Sequence, residues 1–485
     1  MRIAMVSPEC SPWAQTGGLA DAVAALARSI AQQRHDVRVF LPLYDGILES
    51  ASPEAHVAPL AVHLGNTTHY ARLWERQEHE LLRFYFIEYQ HYFQARAIYA
   101  DAYGDYGDNP ERFVFFTRAV LDACYQLPWI PHILHAHDWT TGLLPVYLET
   151  TERERPLGRA ASVFTIHNLQ HHGYAPRSIL DMAGIPPHVF RSDAVEAYGQ
   201  VHMLKSGLYF AQKLTTVSPR YAEEIQTSAY GYGLESVLRF RAADLVGICN
   251  GIAVDSWNPQ QDTFLGDSFD ALHLEGKRRV KEKLRAKWGW EPAERMPCFA
   301  VVSRFCEQKG LDMLIHILPN IMQCMKLQMV ILGQGDRWLE SQFQELAGRF
   351  SQRCRTFIGF DTALSHQVIA ASDFLIMPSR FEPCGLTQLY AMHYGSLPIV
   401  RETGGLANTV ENYDEGSGSG TGFVFRDATP DALYDAIGWA CSTYYDRPQH
   451  YSQMQRRAMC LNLSWDRSSR RYLEVYRWAR EAKGC

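Results

Sequence analysis

Short apolar runs recur along the chain and are separated by loops and amphipathic stretches. Runs at Arg2–Val6, Val37–Leu41, Ile133–Ala136, Val163–Ile166, Leu214–Val217 and Val246–Cys249 predict buried strands. A second set, at Cys298–Val302, Met329–Leu332, Thr356–Ile358, Phe374–Met377 and Leu397–Val400, repeats the pattern. Continuous rather than alternating apolar runs are what a parallel sheet covered on both faces requires. Between many of them apolar positions return at helical spacing; Leu19, Val23, Leu26, Ala27 and Ile30 share one helical face. Strand, loop and helix in repetition predict doubly wound α/β sheets.

The pattern breaks near Asn250-Gly251, where Trp257-Asn258-Pro259 leads a mostly polar stretch to about Glu275. The break predicts two domains, 1–249 and 250–463. The loop Glu415-Gly-Ser-Gly-Ser-Gly-Thr-Gly422 is too short to link domains and reads as a flexible surface excursion. One segment is echoed: Thr16-Gly-Gly-Leu-Ala-Asp-Ala-Val23 returns as Thr403-Gly-Gly-Leu-Ala-Asn-Thr-Val410. Each copy follows a predicted strand and opens a predicted helix. Glycines there let a ligand approach the backbone, and a helix N-terminus offers unpaired N–H groups. One copy in each half predicts two sheets sharing a ligand; two unrelated glycine turns are the other reading.

The length of 485 residues exceeds one ordinary core, which agrees with two domains. Hydrophobic residues at 47% and charged residues at 21% are the composition of a soluble globular protein. Net charge is −6 with no basic concentration, which argues against a nucleic-acid partner. The run Ile3–Val6 is stopped by Ser7-Pro8-Glu9, too early for a signal-peptide core, and no run has the length of a membrane span. Eleven scattered cysteines without a Cys-x-x-Cys pair argue against a disulfide framework or zinc site and for a reducing cytoplasm.

Candidate chemistry falls at the carboxyl ends of predicted strands, where open α/β sheets bind ligands. Arg304 and Lys309 lie in Ser303-Arg-Phe-Cys-Glu-Gln-Lys-Gly310. Two cations on one loop grip a diphosphate, or else form a surface ion pair with Glu307. Glu382 lies in Pro378-Ser-Arg-Phe-Glu-Pro-Cys-Gly-Leu-Thr-Gln388, with a helix expected from about Gly385. It reads as a capping carboxylate or as an acceptor of sugar-hydroxyl hydrogen bonds beside amides that hold phosphate. His135-Ala-His-Asp-Trp139 has a spacing that can bind metal, but nothing completes a site, so a packed histidine pair is expected and no metal. Asp138 and His167, both after strands, are candidates for meeting a sugar. Tyr103, Tyr106 and Phe113 are aromatics that stack on sugar rings or fill a core.

Taken together, Thr16–Asp21, His135–Trp139, Phe164–Leu169, Thr215–Pro219, Asn250–Ile252, Ser303–Gly310, Ser379–Gln388 and Thr403–Leu406 make the chain resemble bacterial glycogen synthases and plant starch synthases, glycosyltransferase family 5. The likeness runs over essentially the whole chain. It implies a GT-B fold, two Rossmann-like domains facing across a deep cleft, with a last helix from about Ser464 to Ala482 so that 464–485 joins the first domain. It implies an ADP-glucose donor, the non-reducing end of an α-1,4-glucan as acceptor, no cofactor and no membrane. By position, Arg304 and Lys309 would hold the diphosphate. Glu382 would hold glucose hydroxyls. Gln15, Gly17, Gly18, Asn250, Phe360, Cys384, Gly385, Leu386 and Thr387 would complete the donor side, with Phe360 against the base. Tyr106, Asp138 and His167 would line the acceptor side. Same-face transfer through an oxocarbenium-like state is implied, the leaving diphosphate taking the proton of the incoming hydroxyl. Where broader retaining transferases carry a second glutamate the chain has Tyr390, as glycogen synthases do. Three positions depart from the family pattern: Gln15 for lysine, Ala253 and Asn408 for aspartate. Gln15 opens one alternative, a weakly active paralogue that binds glucan or partner proteins. A second, the same enzyme using UDP-glucose, stays open because a fold does not set the donor.

Overall fold

The computed structural model describes residues 1–51, 55–101, 103–291 and 295–485. Its contacts divide the chain into Met1–Asn250 with Trp465–Cys485, and Gly251–Ser464.

The first unit is built on a nine-stranded sheet. Its strands are β1 (Arg2–Val6), β2 (Asp36–Pro42), β3 (Ala55–Leu64), β4 (Thr67–His79), β5 (Leu82–Glu88), β6 (Ile133–His137), β7 (Ala161–Ile166), β8 (Lys213–Thr216) and β9 (Leu245–Gly247). Their order is β9-β8-β7-β6-β1-β2-β5-β4-β3. All pairs from β9 to β5 are parallel; β4 and β3 extend the edge antiparallel. Every residue of β6 and β7 is buried, as expected of strands covered on both faces. Helix α1 (Gly18–Gln32) turns Leu19, Val23, Leu26, Ala27 and Ile30 inward, the face read from the sequence. Each such side chain removed from water contributes roughly 1.5–3 kcal/mol for the larger ones.

The ribbon of β3 to β5 was not anticipated. Along β4 buried Ala71 and Leu73 alternate with exposed or half-exposed polar neighbours, a weaker signal than a continuous run. The last helix, Asp466–Lys483, belongs to this unit. Tyr476 Oη lies 2.8 Å from His135 Nδ1, Ser469 Oγ is 2.8 Å from Ser29 Oγ, and Lys483 Nζ is 2.5 Å from Glu149.

The second unit has six parallel strands: β10 (Cys298–Val302), β11 (Gln328–Gly333), β12 (Cys354–Ile358), β13 (Phe374–Met377), β14 (Leu397–Arg401) and β15 (Phe423–Phe425). The order β12-β11-β10-β13-β14-β15 is the doubly wound arrangement whose direction of winding reverses between β10 and β13. The polar stretch after Gly251 packs against this unit. Trp257 is sandwiched between His366 and Tyr390, with ring centroids 3.7 and 3.9 Å away. His366 Nδ1 and Tyr394 Oη each lie 2.7 Å from Asp262 Oδ2. The loop 415–422, read as a flexible excursion, is pinned instead: Arg457 Nη1 donates to the Gly420 carbonyl at 2.7 Å, and Arg447 pairs with Glu415.

Candidate active site

In the second unit the loops after β10 and β13 meet at the reversal of winding. Gly310 has φ +62°, and a Cβ there would stand 2.3 Å from the Pro378 carbonyl oxygen, so only glycine lets the loops close on each other. The Arg380 amide donates to the Gln308 carbonyl at 2.8 Å, and the Arg380 guanidinium makes two 2.7 Å bonds to Asp312. This lacing sets Lys309 Nζ 2.5 Å from Glu382 Oε2. Ser379 Oγ donates to the same oxygen at 2.9 Å. Lys309 thus pairs across loops with Glu382, and the ion pair to Glu307 that the sequence allowed is not made. Arg304 is exposed, and its guanidinium has no hydrogen-bond or ion-pair partner among the described residues.

The second glycine copy braces Glu382. The Gly405 amide donates to the Glu382 carbonyl at 2.9 Å. Gly404 has φ +44°, and a Cβ would fall 2.0 Å from that carbonyl oxygen. The helix after Glu382 begins at Thr387, two residues later than expected, because Gly385 sits at φ +70°. The amides of Gly385 and Leu386 meet no acceptor among the described residues. Gln388 Nε2 ties down the carbonyls of Cys384 and Gly385 at 3.1 and 2.9 Å. Phe360 follows Gly359 and is 78% exposed, an aromatic face without a ring partner among the described residues.

In the first unit winding reverses between β1 and β6, and a carboxylate follows each. The loop after β1 carries Glu9, which is buried. It accepts from the Thr16 amide at 2.6 Å, Thr16 Oγ1 at 2.8 Å, the Gly17 amide at 3.2 Å and Tyr99 Oη at 2.7 Å. The first glycine copy therefore does not present its amides as the sequence reading expected. Those of Thr16 and Gly17 are taken, and Gly17 itself is extended, at φ −162°. Gly18 opens α1 and is exposed, and Gln15 Nε2 donates to Asp21 Oδ2 at 2.9 Å.

Asp138 follows β6 at φ +56°, a conformation costing a non-glycine residue roughly 1–3 kcal/mol and found mostly where function demands it. Its Oδ1 accepts the His167 amide at 2.7 Å. Burial pushes the carboxyl up to about 7, against the pull of the His167 and Asn168 amides, and Glu9 adds repulsion. Burial also holds His135 and His167 down to about 3 and His137 well below the usual range, so all three rings are neutral at pH 7. His135 is spent on Tyr476 and on Thr165 Oγ1 (2.6 Å), and His137 Nδ1 lies 3.0 Å from His167 Nε2. Among the described residues no group of His, Cys, Asp and Glu is arranged to hold a metal ion. Tyr106 is committed locally. Its Oη accepts the Ala97 amide at 3.1 Å, and Arg96 lies 4.2 Å from its ring centroid. Asn250 is buried, and its Oδ1 has no partner among the described residues.

Sequence reasoning brought out the ends of the right strands but missed Glu9, Ser379, and the Arg380–Asp312 brace. The available signal for Glu9 was its place just beyond β1 in Ser7-Pro8-Glu9, which had been read only as a strand stop.

Two α/β units, each gathering charged side chains at its winding reversal, define an enzyme of the two-domain glycosyltransferase class. Residues 2–240 match the starch synthase catalytic domain, and residues 297–442 match glycosyl transferases group 1. A glycogen synthase of Treponema denticola is 39% identical over 100% of this chain and 99% of its own length. One of an Anaeromyxobacter species is 42% identical over 98% of this chain and 99% of its own. The catalytic domain of starch synthase IV from Arabidopsis thaliana, solved bound to ADP and acarbose, superposes with a TM-score of 0.92 at 32% identity, covering 99% of both chains. The chain belongs to the glycogen synthase and starch synthase family of glycosyltransferases. No helix among the described residues is long and apolar enough to cross a membrane.

Proposed function

We propose that the protein transfers glucose from ADP-glucose to the non-reducing end of an α-1,4-glucan with retention at the anomeric carbon. The observation that carries this reading is the Lys309–Glu382 contact at the winding reversal of the second unit, 2.5 Å long and shared with Ser379. It sets a cation for a diphosphate directly beside a carboxylate for sugar hydroxyls. Arg304, exposed and unpaired, supplies the second cation, and the free amides of Gly385 and Leu386 supply neutral donors. The ADP bound to the Arabidopsis relative supports an adenine nucleotide, with Phe360 against the base.

In this reading the bond from the anomeric carbon to the diphosphate oxygen breaks first, and charge grows on the leaving group. Preorganised donors aimed at that charge lower the barrier. The acceptor 4-hydroxyl attacks the same face and gives its proton to the departing diphosphate. Asp138, His167 and the unpartnered Asn250 Oδ1 contact sugar hydroxyls. A buried acceptor left unsatisfied costs on the order of 1–3 kcal/mol, which a hydroxyl donor would recover. Gln15, Gly17 and Gly18 approach the phosphates, and the neutral Gln15 weakens the donor contact without removing it.

The test is transfer of labelled glucose from ADP-glucose and from UDP-glucose, with and without glycogen. Glycogen-dependent incorporation from ADP-glucose, with product linkages cleaved by an α-1,4-specific hydrolase, supports the reading. Preference for UDP-glucose overturns the donor assignment, and absence of transfer from both leaves a glucan-binding paralogue.

A further inference from the structure

At the amino ends of β1, β6 and β7, opposite the ends that carry Glu9 and Asp138, lies a cavity of about 310 Å³. Arg2, His132, Arg159 and Arg480 line it together with Pro131 and Pro156, and no acidic side chain does. None of the three arginines has a carboxylate within ion-pair distance among the described residues. In a chain whose net charge is −6, three arginines without a carboxylate partner lining one small concavity give it a positive character.

Their arrangement is partly fixed. His132 Nδ1 accepts the Arg2 amide at 2.9 Å, and His132 Nε2 lies 3.5 Å from Arg2 Nη2. Cys485, on the rim, donates its amide to the Arg480 carbonyl at 3.0 Å and its thiol to the Arg159 carbonyl at 3.1 Å. Arg480 Nε is buried without an acceptor among the described residues, and burying such a donor is costly. Burial, Arg2 and Arg480 together hold His132 below its ordinary range.

We propose that this cavity binds a small phosphate-bearing anion, either free phosphate or a monosaccharide phosphate. Guanidinium groups match the geometry of phosphoryl oxygens, and their charge is permanent. The volume is at the lower end for small-molecule sites. Nothing in the proposal depends on the roles given to Arg304, Lys309 and Glu382.

The experiment is calorimetric titration at constant ionic strength with inorganic phosphate, glucose 6-phosphate and, as a control, chloride. The proteins are the wild type, Lys309→Ala, Arg159→Gln and the pair Arg159→Gln with Arg480→Gln. Saturable binding is expected in the wild type and in Lys309→Ala. It should weaken by about 10-fold or more in the arginine variants, equivalent to about 1.4 kcal/mol. Arg159 is exposed, so the single variant carries the test if the pair does not fold. Tighter binding of glucose 6-phosphate identifies an esterified ligand, and equal binding identifies the free phosphoryl group; both support the site. Loss of binding in Lys309→Ala with retention in both arginine variants assigns it to the donor loops and overturns the proposal. So does the absence of saturable binding in the wild type.

Discussion

Lys309 Nζ and Glu382 Oε2, 73 residues apart in sequence, stand 2.5 Å apart where the loops after β10 and β13 cross. The cation and the carboxylate steady each other before substrate arrives, and each keeps further bonding capacity for a ligand: two ammonium hydrogens and the second carboxylate oxygen.

Replacing Glu382 by glutamine should separate the two functions. The amide is isosteric, and the fold should persist by circular dichroism. Lys309 loses its anionic partner and becomes freer to meet a diphosphate, so the donor KM should hold or fall. Sugar hydroxyls lose a charged acceptor, worth roughly 1.5–3 kcal/mol per bond. The expected outcome is a fall in kcat of about 10- to 100-fold. A donor titration at saturating glycogen checks it, and unchanged kcat removes Glu382 from the site.

Glu9→Gln tests the organisation of the first glycine copy. The carboxylate accepts four donors. Both backbone amides share Oε2 and both hydroxyls share Oε1. Glutamine therefore keeps its oxygen on the amides of Thr16 and Gly17 and turns its NH2 toward Thr16 Oγ1 and Tyr99 Oη, which must accept instead of donate. Neither amide is orphaned, but both lose a charged acceptor, a loss on the order of 1 kcal/mol each. The loop carrying Gln15 should loosen, raising the donor KM while kcat at saturation falls less. Tyr99→Phe, which removes a single donor, should shift KM in the same direction by a smaller factor. Equal loss of kcat with unchanged KM in Glu9→Gln would give Glu9 a different role.

The strands facing each winding reversal were legible because parallel strands buried on both faces leave continuous apolar runs, and the family motifs lie at their carboxyl ends. The glycine echo was visible, but its physics was not. Both copies look like open anion cradles in one dimension. In space the first is stitched to Glu9 and the second to the backbone of Glu382, contacts that span seven and more than twenty residues. The β3–β4 ribbon escaped notice because an exposed edge tolerates charge at alternate positions. The three arginines of the anion cavity come from positions 2, 159 and 480, a separation that no local pattern can join.

Asp138 predicts a pH dependence whose sign follows from its shift. Burial places its folded pKa at about 7, above that of an unfolded aspartate near 3.9. Between these values the folded state binds more proton than the unfolded one, so this residue's contribution to stability is lost as pH rises from about 4 to 7. Activity should run the other way, because a hydroxyl-binding carboxylate must be ionised. kcat/KM should rise with pH through about 7. Asp138→Asn should be weakly active, lack that limb, and show a flatter Tm against pH over the same window. A wild-type profile flat from pH 6 to 8 would remove Asp138 from the rate-determining chemistry.

Divalent metal should be dispensable. Arg304 and Lys309 supply cations for the diphosphate, and His135 is held by Tyr476 and Thr165. Among the described residues no group of His, Cys, Asp and Glu is arranged around the buried, unpartnered Nε2 of His137 to hold a metal. Dialysis against EDTA followed by assay in metal-free buffer should leave activity unchanged. Loss restored by one particular ion would reopen the segment His135–Asp138.

Gln15 gives the sharpest test of how this chain departs from its relatives. Its side chain is held by Asp21, Nε2 to Oδ2 at 2.9 Å, and burial raises the Asp21 carboxyl above its ordinary range despite that bond and one from Ser11. A lysine at position 15 has two demands on it. It would pair with Asp21, stabilising the ionised carboxylate, and it would lend charge to a diphosphate brought near α1. A charged donor exceeds a neutral one by about 1–2 kcal/mol, a factor of roughly 5 to 30 in binding. Because Asp21 shares the ammonium, the gain toward donor should fall near the lower end. Gln15→Lys is therefore expected to lower the KM for ADP-glucose about 5-fold with little change in kcat. In the background Asp21→Asn the ammonium is released, and the same substitution should gain more. Donor titrations of the four proteins at saturating glycogen close the cycle. If lysine improves KM equally in both backgrounds, Asp21 does not compete for position 15. If it changes KM in neither, position 15 does not meet the phosphates.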